Sequence, residues 1–248
     1  LERAELRTTG EVGENASAPR LQGGGIVNAA SYARGEALAP GSIVSVFGRN
    51  LARGVNEATR LPLETSLGGA TLNVGGVDAP LFYSSDGQIN AQLPFTLAPN
   101  SRPAAVVRTT RADGGQAFTV PETITIAAAR PGIFAVNDQG TGQGRILNQD
   151  FSPNSAANPA ARGSVVQVFA TGLGATNPAV QSGTAAPSSP LAVVTTEVTA
   201  TIGGVPAPVQ FAGLAPGFVG LYQVNVVVPP GVEPGPTVEL SLVQNGVP

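Results

Sequence analysis

Four short blocks of sequence occur twice in this chain, in the same order, and no other feature narrows the fold as much. IVN at 26–28 meets ILN at 146–148, and GSIVSVFGRNL at 41–51 meets GSVVQVFATGL at 163–173. NVGGVDAP at 73–80 meets TIGGVPAP at 201–208, and QINAQLP at 88–94 meets QVNVVVP at 223–229. The offsets are 120, 122, 128 and 135, growing in chain order as small loop insertions would make them. Colinear blocks of this kind are the mark of an internal duplication. The expectation is two similar domains, at residues 25–136 and 137–248, behind an N-terminal arm of residues 1–24.

Each block reads as β-strand. Ile43, Val44, Val46 and Phe47 form a short apolar run closed by Gly48, and Val165, Val166, Val168 and Phe169 repeat it. Runs of four to eight residues rich in β-branched side chains and bounded by glycine are strands of a sandwich core. TLNVGGVDAP predicts strand, Gly-Gly turn, strand, and TATIGGVPAP predicts the same. RTTRADGGQAFTV at 108–120 predicts a hairpin turning at Asp113–Gly114. In QVNVVVP, Val224, Val226 and Val228 alternate with Gln223, Asn225 and Val227, so one face is core. Pro94 and Pro229 close the two strands, because proline cannot donate to a ladder. The Gln and Asn amides of these strands are expected to bond backbone groups at the end of each sandwich. The fold class is therefore all-β: two tandem immunoglobulin-like β-sandwich domains and an extended N-terminal arm.

The composition agrees and removes whole classes of chemistry. Gly is 32, Pro is 22 and charged residues are 12%, a mix suited to short strands and turns rather than long helices. All 13 basic residues are Arg, and Cys, Met, Trp and His are absent. No Ser–His–Asp triad, thiol nucleophile, His or Cys zinc site, Schiff-base lysine or phosphate-loop lysine can be built from such a set. Disulfide and Lys–Asn isopeptide cross-links are excluded on the same ground. The formal charge of −3 and the scattered arginines point away from nucleic acid. No run of 18 apolar residues predicts a membrane span. A start at Leu1 rather than Met points to a processed or trimmed chain, removal of a secretory leader being one route to it.

IVNAASY at 26–32, APGSIVSVFGRNLA at 39–52, APLFYSSDGQINAQLP at 79–94, ATGLG at 170–174 and GLAPGFVGLYQVNVVVP at 213–229 resemble the Solibacter-type C-terminal domain family. That family is abundant in Acidobacteria and sits at the ends of large exported proteins. Each half is also similar to an IPT/TIG immunoglobulin-like domain. The resemblance implies a β-sandwich fold and an exported, extracellular or cell-surface setting. It carries no catalytic residue, because the family has no assigned activity.

Candidate sites are few. GTGQG at 140–144 has neither the lysine nor the strand–helix context of a phosphate loop and reads as an inter-domain hinge. Asp138 and Asp150, with Asn137, Asn148 and Asn154, make an oxygen-rich loop; it fits no calcium signature and reads as solvated linker. The carboxylates form no evident acid–base pair, so no catalytic residue, metal site or cofactor is expected. The expected function is a non-enzymatic extracellular structural protein that self-assembles head to tail into a fibre or surface layer. Leu1, Leu6, Val12 and Leu21 of the arm are the expected subunit contacts. The partners expected are further copies of the chain, and the alternatives are an adhesive module binding polysaccharide or cell wall, or a passive spacer.

Overall fold

The computed structural model describes residues 17–244 and Gly246. Among them every regular element is a strand, and no helix is long and apolar enough to cross a membrane. Ten strands precede residue 130: β1 (Arg20–Asn28), β2 (Ile43–Arg49), β3 (Asn56–Glu57), β4 (Ala70–Val74), β5 (Val77–Ala79), β6 (Leu81–Ser84), β7 (Gln88–Gln92), β8 (Ala104–Thr110), β9 (Gln116–Phe118) and β10 (Glu122–Thr123). Ten follow: β11 (Gly132–Ile133), β12 (Ile146–Leu147), β13 (Val165–Thr171), β14 (Thr176–Asn177), β15 (Val193–Val194), β16 (Val198–Ile202), β17 (Val205–Ala207), β18 (Val209–Leu214), β19 (Tyr222–Val227) and β20 (Leu240–Gln244).

In the first sandwich a sheet ordered β1–β2–β7–β6–β3 faces one ordered β10–β8–β4–β5, with β9 also on β8. Val44 lies opposite Ala91 and Val46 opposite Ile89, and all four are fully buried. They meet Leu72, Val74, Ala105 and Val107 of the facing sheet in one core. The second sandwich repeats this order. β13–β19–β18–β15 matches β2–β7–β6–β3, and β17–β16–β20 matches β5–β4–β8. Its separate core holds Val166, Val168, Val224 and Val226 from one sheet and Val198, Ala200, Ile202 and Leu242 from the other.

The turns follow from glycine. Gly75 and Gly76 join β4 to β5 with φ of 59° and 88°, and Gly203 and Gly204 join β16 to β17 with 57° and 76°. Two consecutive positive φ values match a tight hairpin to the twist of its strands and are strained for side chains with a Cβ. The β8–β9 hairpin pairs Arg108 with Phe118 and turns through Gly114 at φ 83°.

Two expectations change. Leu21, assigned to the arm, belongs to β1 and packs against the first core, while Leu1, Leu6 and Val12 lie outside the described residues. The strand begins at Arg20 because Arg20 and Leu21 pair with Arg49 and Gly48, and the register then shifts past the glycine triplet before Ile26 pairs with Val46. Residues 140–144 are not a hinge. β11 and β12 pair with the same edge of β13, and the chain between them folds back on itself, Val136 N bonding Gln143 O and Arg145 N bonding Phe134 O. Gly140 lies at the tip with φ 75°, where a Cβ would stand 2.2 Å from the Ser31 carbonyl of the first sandwich. Glycine serves close approach there, not flexibility.

The crossing between sandwiches comes earlier. Ala127 N still bonds Leu38 O, and Arg130 N already bonds Gly172 O. Leu72 is fully buried between the first two sheets. Leu72→Ala is expected to cost about 2–5 kcal/mol in chemical denaturation, while Val77→Ala, at a position 41% exposed, should stay within about 0.5 kcal/mol.

Candidate functional site

Buried hydrogen bonds join the two sandwiches along a seam. Thr171 ends β13 with no exposure, and its Oγ1 accepts from Ile43 N at 2.9 Å and donates to Gly220 O at 3.0 Å. One hydroxyl thus joins the start of β2 in the first sandwich to a loop of the second. Gln92, 1% exposed at the end of β7, works from the other side: its Oε1 accepts from Gly183 N at 2.7 Å and its Nε2 donates to Gly41 O at 3.4 Å. Phe95 N donates to Ser182 Oγ at 3.0 Å, and Leu63 N to Gly183 O at 2.8 Å.

Glycines let the backbones close. A Cβ on Gly220 (φ 63°) would meet Ile43 at 3.0 Å, and one on Gly183 (φ 81°) would meet Pro80 at 3.0 Å. The Phe95 ring lies over Gly41, where a Cβ would stand 2.0 Å from it, and packs against the second core. At the crossing, Asn28 Nδ2 donates to Arg130 O at 3.3 Å, and the Arg130 side chain pairs with Glu36 at 2.6 Å. Buried hydrogen bonds with both partners in place add about 0.5–1.5 kcal/mol each, and leaving one partner unpaired costs more.

The sequence-predicted residues lie elsewhere. Asp138 pairs with Arg145 through both carboxylate oxygens, at 2.9 and 3.1 Å. Asp150 accepts from Ser152 N at 3.0 Å and from its hydroxyl, which holds its carboxyl below the usual carboxylate range. The two aspartates therefore have different local partners and do not converge, and no group of three acids forms among the described residues. Asn148, Asn154 and Asn158 bond one another and their backbone instead. Asn148 and Asn158 line one side of an open depression of about 500 Å³ that also includes Pro159, Ala160, Ala161 and Ser164.

Among the amides of QINAQLP and QVNVVVP, Gln92 bonds backbone at the end of its sandwich as expected, and the Gln–Asn pairs do otherwise. Gln88 Nε2 donates to Asn90 Oδ1 at 2.7 Å, which also accepts from Ser45 Oγ at 3.1 Å, and Gln223 Nε2 donates to Asn225 Oδ1 at 2.8 Å along the strand face. Tyr222 is fully buried and donates its hydroxyl to Gly174 O, and its burial pushes its pKa far up. The partners across the seam are not read from the sequence. A signal exists in the matched blocks: Gln92 stands where the second block has Val227, and Thr171 stands where the first block has Arg49. Neither a scan of protein-family models nor a search of curated proteins finds a match to this chain.

Thr171→Val strands Ile43 N and Gly220 O. It is expected to cost about 1–3 kcal/mol and to separate the melting of the two sandwiches in calorimetry. Glu122 titrates in the opposite sense to a salt-bridged acid. Burial raises its pKa against the opposing bond from Gly24, so the folded state holds its proton more tightly than the unfolded chain does. The resulting penalty is absent below the unfolded pKa and complete above the folded one. Glu122→Gln should therefore raise the melting temperature at neutral pH and leave it unchanged in acid.

Proposed function

We propose that this chain is a non-enzymatic structural protein of the cell exterior: a duplicated immunoglobulin-like brick that assembles head to tail through its N-terminal arm. The seam carries this reading. Thr171, Gln92 and Phe95 tie two separate cores into one piece, as a load-transmitting subunit requires. The acids support it as well, since Asp138 is held by Arg145 and Asp150 by Ser152. The motif resemblance to exported bacterial domains supplies the setting. With no thiol or lysine in the chain, contacts between copies rest on burial and main-chain hydrogen bonds, and a heterologous contact of this sort extends without closing.

The test removes residues 1–16 and keeps the chain from Ser17 onward, because Asn50 Nδ2 bonds Ala18 O and β1 begins at Arg20. Light scattering and negative-stain microscopy of the intact chain should show assemblies, and the shortened chain should be monomeric. Assemblies of unchanged length in the shortened chain would remove the arm as connector, and a monomeric intact chain would sink the reading.

A further inference from the structure

The outer face of each large sheet carries the same arrangement of amides and rings. In the first sandwich Asn90 stands between Ser45 on β2 and Tyr83 on β6, and Gln88 stands beside Phe47. In the second, Asn225 stands between Gln167 on β13 and Phe211 on β18, and Gln223 stands beside Phe169. Both sheets shift register just before the ring, at Leu81/Tyr83 and at Val209/Phe211. All of these outward side chains except Ser45 are half-buried, and none is charged. Tyr32 backs Phe47, with ring centroids 6.4 Å apart. The Phe211 ring lies over Gly213, the strand neighbour of Gln223, where a Cβ would stand 2.7 Å from it.

The amides on these faces are only partly spent. Gln88 Nε2 donates to Asn90 Oδ1, which also accepts from Ser45 Oγ, and Gln223 Nε2 donates to Asn225 Oδ1. That leaves Gln88 Oε1, Asn90 Nδ2, Gln223 Oε1 and Asn225 Nδ2 without a partner among the described residues, and the Gln167 amide makes no bond to any of them. None of these free atoms is buried. Each face thus offers an open acceptor and an open donor side by side, fixed by the bond between the two amides and flanked by two rings. Strand and residue spacings put the Cα atoms of Phe47 and Tyr83, and those of Phe169 and Phe211, roughly 12 Å apart.

We propose that each face binds a neutral glycan, a chain of equatorially linked pyranoses of the kind found in cellulose, xylan and chitin. Such a sugar carries C–H groups on its ring faces and hydroxyls around its rim. The C–H faces suit an aromatic side chain, while two neighbouring hydroxyls can donate to Gln Oε1 and accept from Asn Nδ2 together. The separation of the rings matches an extended run of sugars rather than a single one. The lack of charge in both patches favours a neutral chain over an acidic one. An extended peptide is the poorer match. β2, β7, β13 and β19 lie inside their sheets with both edges paired, so these faces offer no main-chain groups for strand addition. The inference does not rest on assembly between copies of the chain.

The test titrates cellohexaose, xylohexaose and chitohexaose into the full chain by calorimetry and follows the side-chain amide signals by NMR. At least one hexamer should bind saturably at two sites per chain and shift the Asn90 and Asn225 amide signals. Tyr83→Ala or Phe211→Ala should leave one site, and the double variant none. The Gln167 amide bonds nothing among the described residues, so Gln167→Met should keep the fold and still weaken the second site by about three- to tenfold. Binding of none of the three hexamers overturns the proposal. So does undiminished binding by the double variant or, where that variant fails to fold, by Gln167→Met. Shifts of the same amides on raising the protein concentration alone would mean that a second copy covers the faces, and would overturn it too. Removing residues 1–16 should leave the affinity unchanged, and a gain would mean that the arm occupies a face and would likewise overturn it.

Discussion

In each sandwich one antiparallel pair, β2 with β7 or β13 with β19, carries alternating apolar side chains that have almost no exposure. Val44, Val46 and Ile89 do this in the first sandwich, and Val166, Val168 and Val224 in the second. A slip of one residue in either pair would turn these side chains to solvent and bring Gln88, Asn90, Gln223 or Asn225 inward, so the register is set by burial. The remaining strands are placed by reference to this pair. β6 and β18 extend the same sheet, while β4 and β16 supply the opposite wall of the core. The Gln–Asn pairs on the outer face bond each other and leave the ladder untouched.

The two sandwiches share a frame and differ where they meet other things. Gln92 faces the seam, and the corresponding Val227 has no such task. Thr171 bridges to Ile43 at the position held by Arg49 in the first sandwich.

Local features of this architecture are legible in the sequence because local chemistry decides them. The Gly75–Gly76 and Gly203–Gly204 turns need positive φ at both positions, and the alternation of Val224 and Val226 needs only one buried face. What could not be read is non-local. Ile43 and Thr171 lie 128 residues apart and Gln92 and Gly183 lie 91 apart, so no window of sequence holds either pair. Glycine also misleads by composition. The triplet at 23–25 suggests a loose tail, yet it sits inside β1 where the register shifts, and Gly48 must lack a Cβ because one would stand 2.2 Å from Arg20 O. Gly140 misleads in the same way, since its lack of a side chain serves contact with Ser31.

The seam also has a mechanical character that the cores do not share. Burial weakens gradually as surfaces part, whereas hydrogen bonds fade within a fraction of an ångström and depend steeply on angle. A junction built on the Thr171 hydroxyl, the Gln92 amide and one inserted ring has no soft intermediate settings. Bending between the halves is therefore brittle: the join keeps a single angle or lets go, and each half keeps its own greasy centre closed when it does.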